Sequence, residues 1–494
     1  MLTILTKTEL REHVENAIAS IDRLDELVQV VSQADAVTNL KTLVVEAKHI
    51  ITPFDWYDSE PPYAIPKVPF TEENLLALVF LKLGNHQKAF EFVEKGSDLF
   101  HHLLIATHLQ FGYEITEDML AFAKETSPHN FAVVTYYGQL SDGNHHQDLK
   151  EAFNAAIKEA ENDEIRIFSL KHYLNLLLDT GSIEEAKKLI EDYSKLAISE
   201  DAKFALDLQL TAILKEELRL PYQAESLNQI LDLQLAGIDT YESKGLKIQA
   251  GLLLMDAAEI ANFKQDFITA KELINKAIQY FKAEDIPEFL GEAGMRKAIL
   301  LYTWSKNGSP QYYKVAINAF QDVLKIFKRD THPQKFADVH HNLALIYSEI
   351  PVGAEEKPMW TAFCASSFKE VLAFYTKEDY PYEYAMASHN YATALMDFPP
   401  AKLHDNLEKA SELFENALKI RTAEAYPFER ALTLLNQLEL AWLTHNESKQ
   451  DEQVKYEDMK AKAEEVKRLI SKDDLIAKAD RHLRKLEQVK ALID

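Results

Sequence analysis

The sequence predicts an all-α solenoid of stacked helical hairpins, and three observations carry that expectation. Three segments repeat residue for residue: FQDVLKIFKRDTHP ending at Pro333, FKEVLAFYTKEDYP ending at Pro381, and FENALKIRTAEAYP ending at Pro427, at spacings of 48 and 46 residues. Each has Phe thirteen positions before the proline (Phe320, Phe368, Phe414), Ala four after it (Ala337, Ala385, Ala431) and Asn nine after it (Asn342, Asn390, Asn436). A period of this size belongs to helix pairs that bury their apolar faces only by stacking on their neighbours. Composition agrees: Gly (13) and Pro (16) are scarce, and Leu, Ala, Glu and Lys dominate, as in largely helical chains. Length agrees too, since 494 residues exceed what one compact core accommodates, a limit a solenoid escapes.

The elements follow in order. Residues 1–50 read as an N-terminal helical unit of two helices, because Val14, Ile18, Ile21, Leu24 and Val28 recur at three- and four-residue steps. Residues 51–70 carry Pro53, Pro61, Pro62, Pro66 and Pro69, which no helix accepts. With Phe54, Trp56, Tyr57 and Tyr63 this stretch is too apolar for a free linker. Its aromatics either cover the first hairpin or lie in a partner groove and block it. Residues 71–290 read as helical hairpins. Gly84 precedes Ala89, and Gly181 precedes Ala186, by five positions: Gly ends one helix in a left-handed cap and the small Ala lets the next helix approach. Pro287 closes a fourth, weaker copy of the proline-marked unit, with Gly291 in place of the Ala and Arg296 in place of the Asn. Residues 291–445 hold the longer proline-marked repeats. SPHN (127–130), LSDGNHHQD (140–148) and SKNGSP (305–310) read as hairpin loops. IPVGAEEKP (350–358) and DFPPAKLHDN (397–406) read as the turns of the long units. Residues 446–494 read as two charged amphipathic helices. Their stripe Ile476, Ala479, Leu483, Leu486 and Val489 suits a terminal cap with a polar outer face, or the seam of a coiled-coil dimer.

A net charge of −25 disfavours nucleic acid, whose phosphates it repels. It serves solubility or a basic partner. Cys364 is the only cysteine, so neither an intrachain disulfide nor a Cys zinc cluster is available. The N-terminus lacks a secretory h-region, and no apolar window of about 18 residues spans a membrane. A cytoplasmic protein is the expectation. No GxxxxGK[ST], GxGxxG or GxSxG motif occurs. Cys364, on a helix beside Trp360 and Phe363, reads as a packed small residue. Neither a catalytic residue nor a cofactor is expected, and the chain is read as a non-enzyme.

The aligned Asn342, Asn390 and Asn436 form the sharpest constellation, because a mid-helix Asn is disfavoured unless it bonds something. Either each amide satisfies a neighbouring repeat, or the row faces the groove and clamps an extended peptide backbone. His341 and His389 align one position earlier, and Leu435 breaks their row. With no third ligand in view, no metal is expected. The adjacent pairs His101–His102, His145–His146 and His340–His341 do not share a helix face.

The segments at Gly84 and Gly181 resemble the turn and second helix of a tetratricopeptide repeat. The units from about 310 to 445 resemble the tetratricopeptide-type repeats that accompany caspase-like CHAT protease domains in bacterial proteins. They share an fP-x-x-x-A-x-x-x-x-N-L rhythm, here YPYEYAMASHNYA and HPQKFADVHHNLALIY. This sequence departs at Ala344 and Ala392, where that family often has Gly, and no α/β protease domain follows. The resemblance implies a fold and a binding role and no catalytic residue. The whole chain therefore reads as a right-handed α-solenoid of tetratricopeptide-like hairpins with helical N- and C-terminal caps. Its expected function is a scaffold or adaptor that holds a protein or peptide on a concave face lined by His341, Asn342, Tyr384, His389, Asn390 and Asn436. It is expected to be a monomer, or a dimer through the C-terminal helices. The alternatives are a peptide- or ligand-gated regulatory sensor, and a regulatory or substrate partner of a separate protease in a bacterial defence module.

Overall fold

The computed structural model describes residues 1–32, 41–138, 146–196, 198–400, 405–446 and 448–493. The chain divides into two compact units, residues 1–260 and 261–494.

The first unit opens with a correction. Residues 1–50 are not two helices. Strands β1 (Leu2–Thr6), β2 (Val28–Ser32), β3 (Thr42–Val45), β4 (His49–Ile51) and β5 (Val68–Pro69) form one sheet in the order β2-β1-β3-β4-β5. β1 runs parallel to β2 and β3, and β4 runs antiparallel to β3 and β5. One helix, α1 (Thr8–Ala19), crosses from β1 to β2. Val14 and Ile18 are buried on α1 as their spacing implies. Arg23, at φ 60°, turns the chain, and the three- and four-residue rhythm then runs on by coincidence into Val28, the first residue of β2. The β-branched runs LTILT, VQVV and TLVV suit a pleated, buried surface. Leu2, Ile4, Leu43, Val45 and Ile50 pack with Leu75, Leu78 and Val79 of the first hairpin, so the sheet caps the helical stack.

Hairpin helices follow: α2 (Glu72–Lys82), α3 (His86–Glu91), α4 (Asp98–Phe111), α5 (Glu117–Thr126), α6 (Pro128–Tyr137), α7 (His146–Glu159), α8 (Asp163–Asp179), α9 (Ile183–Tyr193), α10 (Glu200–Glu216), α11 (Ala224–Ser243) and α12 (Lys247–Phe263). Gly84 and Gly181 adopt φ values of 80° and 68° at helix ends, and Ala89 and Ala186 are fully buried. SPHN is not a loop: Ser127 caps α6, its hydroxyl accepting from the Asn130 amide, and Pro128 opens the helix. The expected loop at 140–148 falls largely outside the described residues, as do 401–404 of the later turn.

The second unit contains α13 (Phe267–Ala283), α14 (Pro287–Lys306), α15 (Tyr312–Val323), α16 (Pro333–Glu349), α17 (Lys357–Phe374), α18 (Pro381–Met396), α19 (Asn406–Ile420), α20 (Pro427–Leu443), α21 (Lys449–Leu469) and α22 (Asp473–Ile493). Pro287, Pro333, Pro381 and Pro427 each start a helix, where the missing N–H would have been orphaned anyway. Phe320, Phe368, Phe414 and Ala337, Ala385, Ala431 are fully buried. Ala479 and Leu486 of the stripe, with Leu475 beside it and Leu483 at its margin, pack with Leu434, Leu438, Met459 and Val466 of α20 and α21, and Ile476 and Val489 stay half-buried.

Gly291 explains why the weaker copy lacks its Ala. A Cβ there would lie 2.6–3.0 Å from three atoms of the Phe327 ring, and Phe327 is itself buried. Gly291→Ala gains about 1 kcal/mol of helix propensity and meets an overpacking cost of about 1–3 kcal/mol. A net loss of urea stability is expected, and Phe327→Leu in the same chain should remove it. An unchanged or raised midpoint in the single variant would show that the ring gives way freely.

Among the described residues, no helix is long and apolar enough to cross a membrane, and no group of three or more His, Cys, Asp or Glu could hold a metal ion. Cys364 is buried among the repeats, and that burial pushes its thiol up to about 12.

Candidate functional site

In the second unit the proline-opened helices α16, α18 and α20 carry the aligned Asn and His residues. The structure joins them diagonally. Asn390 Nδ2 meets His341 Nε2 of the preceding repeat at 2.9 Å, and Asn436 Nδ2 meets His389 Nε2 at 3.4 Å and Thr393 Oγ1 at 2.8 Å. An amide nitrogen only donates, so both imidazoles accept at Nε2 and carry their proton on Nδ1. His389 Nδ1 then donates to Thr433 Oγ1 at 3.1 Å. The same hydroxyl accepts from Arg421 Nη1 at 2.9 Å and donates to the Glu429 carbonyl at 2.9 Å. Burial lowers His341 to about 4, and burial with the Arg421 charge lowers His389 to about 3, so both stay neutral. Asn342, in the first full repeat, bonds its own helix at the Asp338 carbonyl, 2.9 Å away. Tyr384 stands half-buried in the first turn of α18 and joins neither pair. The three Asn residues are half-buried, so the row ties successive repeats together while keeping one edge open.

The first unit contains an arrangement the sequence did not reveal. Residues 52–67 link β4 to β5 and lie as a strap across the helices, turned at residues 56–60, where Asp58 has φ 56° and the Asp55 carboxylate accepts from the Tyr57 and Glu60 N–H groups at 3.0 and 2.6 Å. Asn130 of α6 takes both backbone groups of Ala64: its Oδ1 accepts from the Ala64 N–H at 2.9 Å and its Nδ2 donates to the Ala64 carbonyl at 2.8 Å. His129 Nε2 donates to the Pro62 carbonyl at 2.9 Å, and Lys171 Nζ of α8 donates to the Trp56 carbonyl at 3.1 Å. Four backbone groups are thus read by side chains, independently of the strap's own side chains.

Side chains add selectivity. Tyr63 bonds His102 Nδ1 of α4 at 2.7 Å, and Tyr57 donates to Asp201 Oδ1 of α10 at 2.6 Å. Lys171, with 3% of its side chain exposed, pairs with Asp58 at 2.7 Å, and the buried Lys82 of α2 pairs with Glu60. Phe168 of α8 stacks on Phe54, with ring centroids 4.6 Å apart, and meets the edge of Trp56 at 5.3 Å. Lys244 lies over the Tyr57 ring, 5.2 Å from its centroid. The strap's aromatics therefore reach well beyond the first hairpin, from His102 of α4 to Phe204 of α10 and Tyr241 of α11. Burial lowers His102 and His129 to about 4, and burial with the neighbouring Lys171 charge lowers His172 well below the ordinary histidine value. The strap does not fill the face completely: a cavity of about 290 Å³ remains beside Phe54, Glu60, Tyr63, Lys82, Ala106 and Phe111.

Gly-capped and proline-opened hairpins stacked in this way define a tetratricopeptide-like helical-repeat protein. No family model matches the sequence, and no curated protein matches it. Among solved structures it is similar to a STAND signal-transduction ATPase with a tetratricopeptide repeat sensor from Pyrococcus horikoshii, at 14% identity and a TM-score of 0.49 over 75% of this chain and 55% of that one. It therefore spans about half that protein's length. It is also similar to human IFIT1, solved as a dimer with PPP-AAAA, at 15% identity and a TM-score of 0.39 over 85% and 90% of the two chains. A third similarity is to a circular tandem repeat protein, at 12% identity and a TM-score of 0.19 over 85% and 89%. At these identities and scores the similarities assign no function.

Proposed function

We propose that this chain is a non-catalytic scaffold or adaptor whose helix faces hold extended segments of other proteins. The observation that carries the reading is the strap: α6 and α8 already grip the backbone of a segment without helix or strand through Asn130, His129 and Lys171. Recognition of main-chain groups gives affinity without demanding one sequence, and side-chain pockets then select. The half-open row at Asn390 and Asn436 in the second unit offers a further face of the same kind. The chain's overall negative charge favours a basic partner at its outer surfaces. The face under the strap presents Lys82, Lys171 and Lys244, and carboxylates suit it better.

The test is to pan a random displayed-peptide library against the immobilised chain. An enriched consensus that binds with micromolar or better affinity is the expected result, with loss of binding on substitution of helix-face residues. A library that yields no consensus at any salt concentration would overturn the scaffold reading.

A further inference from the structure

We propose that residues 52–67 are an exchangeable cis occupant of a peptide-binding face formed by α4, α6, α8 and α10, and that the trans ligand is a peptide that turns through an aromatic pair with an adjacent carboxylate and carries a later aromatic. The inference rests on the scaffold reading and names that scaffold's ligand and its control.

Three features carry it. The strap is longer than the loops that ordinarily connect neighbouring strands, and such loops without internal secondary structure are commonly functional. Its ends are fixed independently of its contacts, because β4 and β5 pair antiparallel, His49 opposite Pro69 and Ile50 opposite Val68. Lifting the strap thus breaks no pair of the β4–β5 ladder; it parts Tyr63 from Ile105 and Ala106 and takes the Trp56 carbonyl and Asp58 away from Lys171. Those bonds also have the form of ligand recognition. The strap carries no regular secondary structure through residues 52–67, and its backbone is satisfied by side chains from two different helices. Trp56 and Tyr57 enter against Phe168, Phe204 and Tyr241, Asp58 meets Lys171, and Tyr63 meets His102. The pattern Trp-Tyr-Asp followed five residues later by Tyr is the chemistry this face selects.

Tethering sets the scale of the control. A short tether holds its segment at an effective concentration on the order of millimolar. A free peptide that binds the vacated face with micromolar affinity is then held off the intact chain by on the order of a thousandfold.

The experiment uses a fluorescein-labelled synthetic peptide, TPFDWYDSEPPYAIPK, and the full chain with residues 54–64 replaced by a Gly/Ser segment of equal length. Anisotropy should show binding to the replaced chain at least about a hundredfold tighter than to the intact chain. Asn130→Ala with Lys171→Met should remove it. A replaced chain with native helical circular dichroism that does not bind the peptide overturns the proposal. If that chain fails to fold, hydrogen exchange on the intact chain decides. Amides 54–64 that open faster than those of α6 and α8 support exchange, and equal protection makes the strap inseparable core and overturns it. If the replaced chain fails to bind the peptide while library peptides still bind the intact chain, the scaffold reading stands and this one falls.

Discussion

Lowering the pH from about 7.5 to about 5.5 should cost each of the two units about 3 kcal/mol of folding stability. The cause is a set of imidazoles buried in their neutral form. His102, His129 and His341 are lowered to about 4 and His389 to about 3, in each case mainly by burial. His172 is pushed down by burial and by the Lys171 charge. The unfolded chain takes up these protons near pH 6.5, the ordinary histidine value. Below that pH the unfolded state binds protons that the folded state refuses. The stability is therefore intact above about pH 6.5 and is lost as pH falls toward the folded-state values. His102, His129, His341 and His389 each contribute about 1.3 kcal/mol across this window, and His172 adds to the loss in the same direction. Opposing groups do not reverse the sign: Asp98 raises His102, and the Pro62 carbonyl raises His129, but burial outweighs both. Ordinary carboxylates titrate near pH 4 and contribute little in the same window. Urea unfolding followed by circular dichroism at the two pH values is the measurement. His341→Gln with His389→Gln should flatten the dependence of the second unit. Equal midpoints at both pH values would mean that these imidazoles are protonated in the folded chain, and the donor directions assigned to Asn390 and Asn436 would then be wrong.

The repeat was legible because every position in it has one mechanical task. Phe320, Phe368 and Phe414 fill the interior, Ala337, Ala385 and Ala431 permit close approach, and the prolines start helices. The Asn row was legible as an alignment but not as bonds. Asn390 and Asn436 each reach the histidine of the preceding repeat, 49 and 47 residues back, while Asn342 bonds its own helix, so the pairing is diagonal and the aligned positions do not touch. The N-terminal sheet was missed because Val14 and Ile18 do belong to a helix, and nothing local marks Arg23 as the turn that ends their rhythm. The strap site was beyond reach for a different reason. Asn130 meets Ala64 across 66 residues, and Tyr57 meets Asp201 across 144. No periodicity connects such pairs, and the one local signal, Pro-rich yet aromatic sequence, said only that the segment is ordered. Ser127-Pro128 could have been read as a helix start, which would have placed His129 and Asn130 in a first turn.

Phe368→Ala should cost the second unit about 3–5 kcal/mol. The ring is fully buried, stacks on Tyr391 at 4.8 Å between centroids, and lies 6.0 Å from the His341 ring. Its removal opens a cavity between α16 and α18, where helix-backbone hydrogen bonding resists collapse. Both neighbouring repeats lose contact at once, because a stacked array transmits stability only between adjacent units. Asn390→Ala is the instructive contrast. It removes one hydrogen bond and leaves His341 Nε2 without its donor, at a cost of about 1 kcal/mol. Hydrogen exchange should therefore show Phe368→Ala deprotecting α16 to α19 first, with α21 and α22 following. Asn390→Ala should leave the same amides nearly as slow as in the parent chain. A Phe368→Ala loss near 1 kcal/mol would mean that the repeats close over the vacancy, and the repeated phenylalanine would then mark a register rather than the source of the stack's stability.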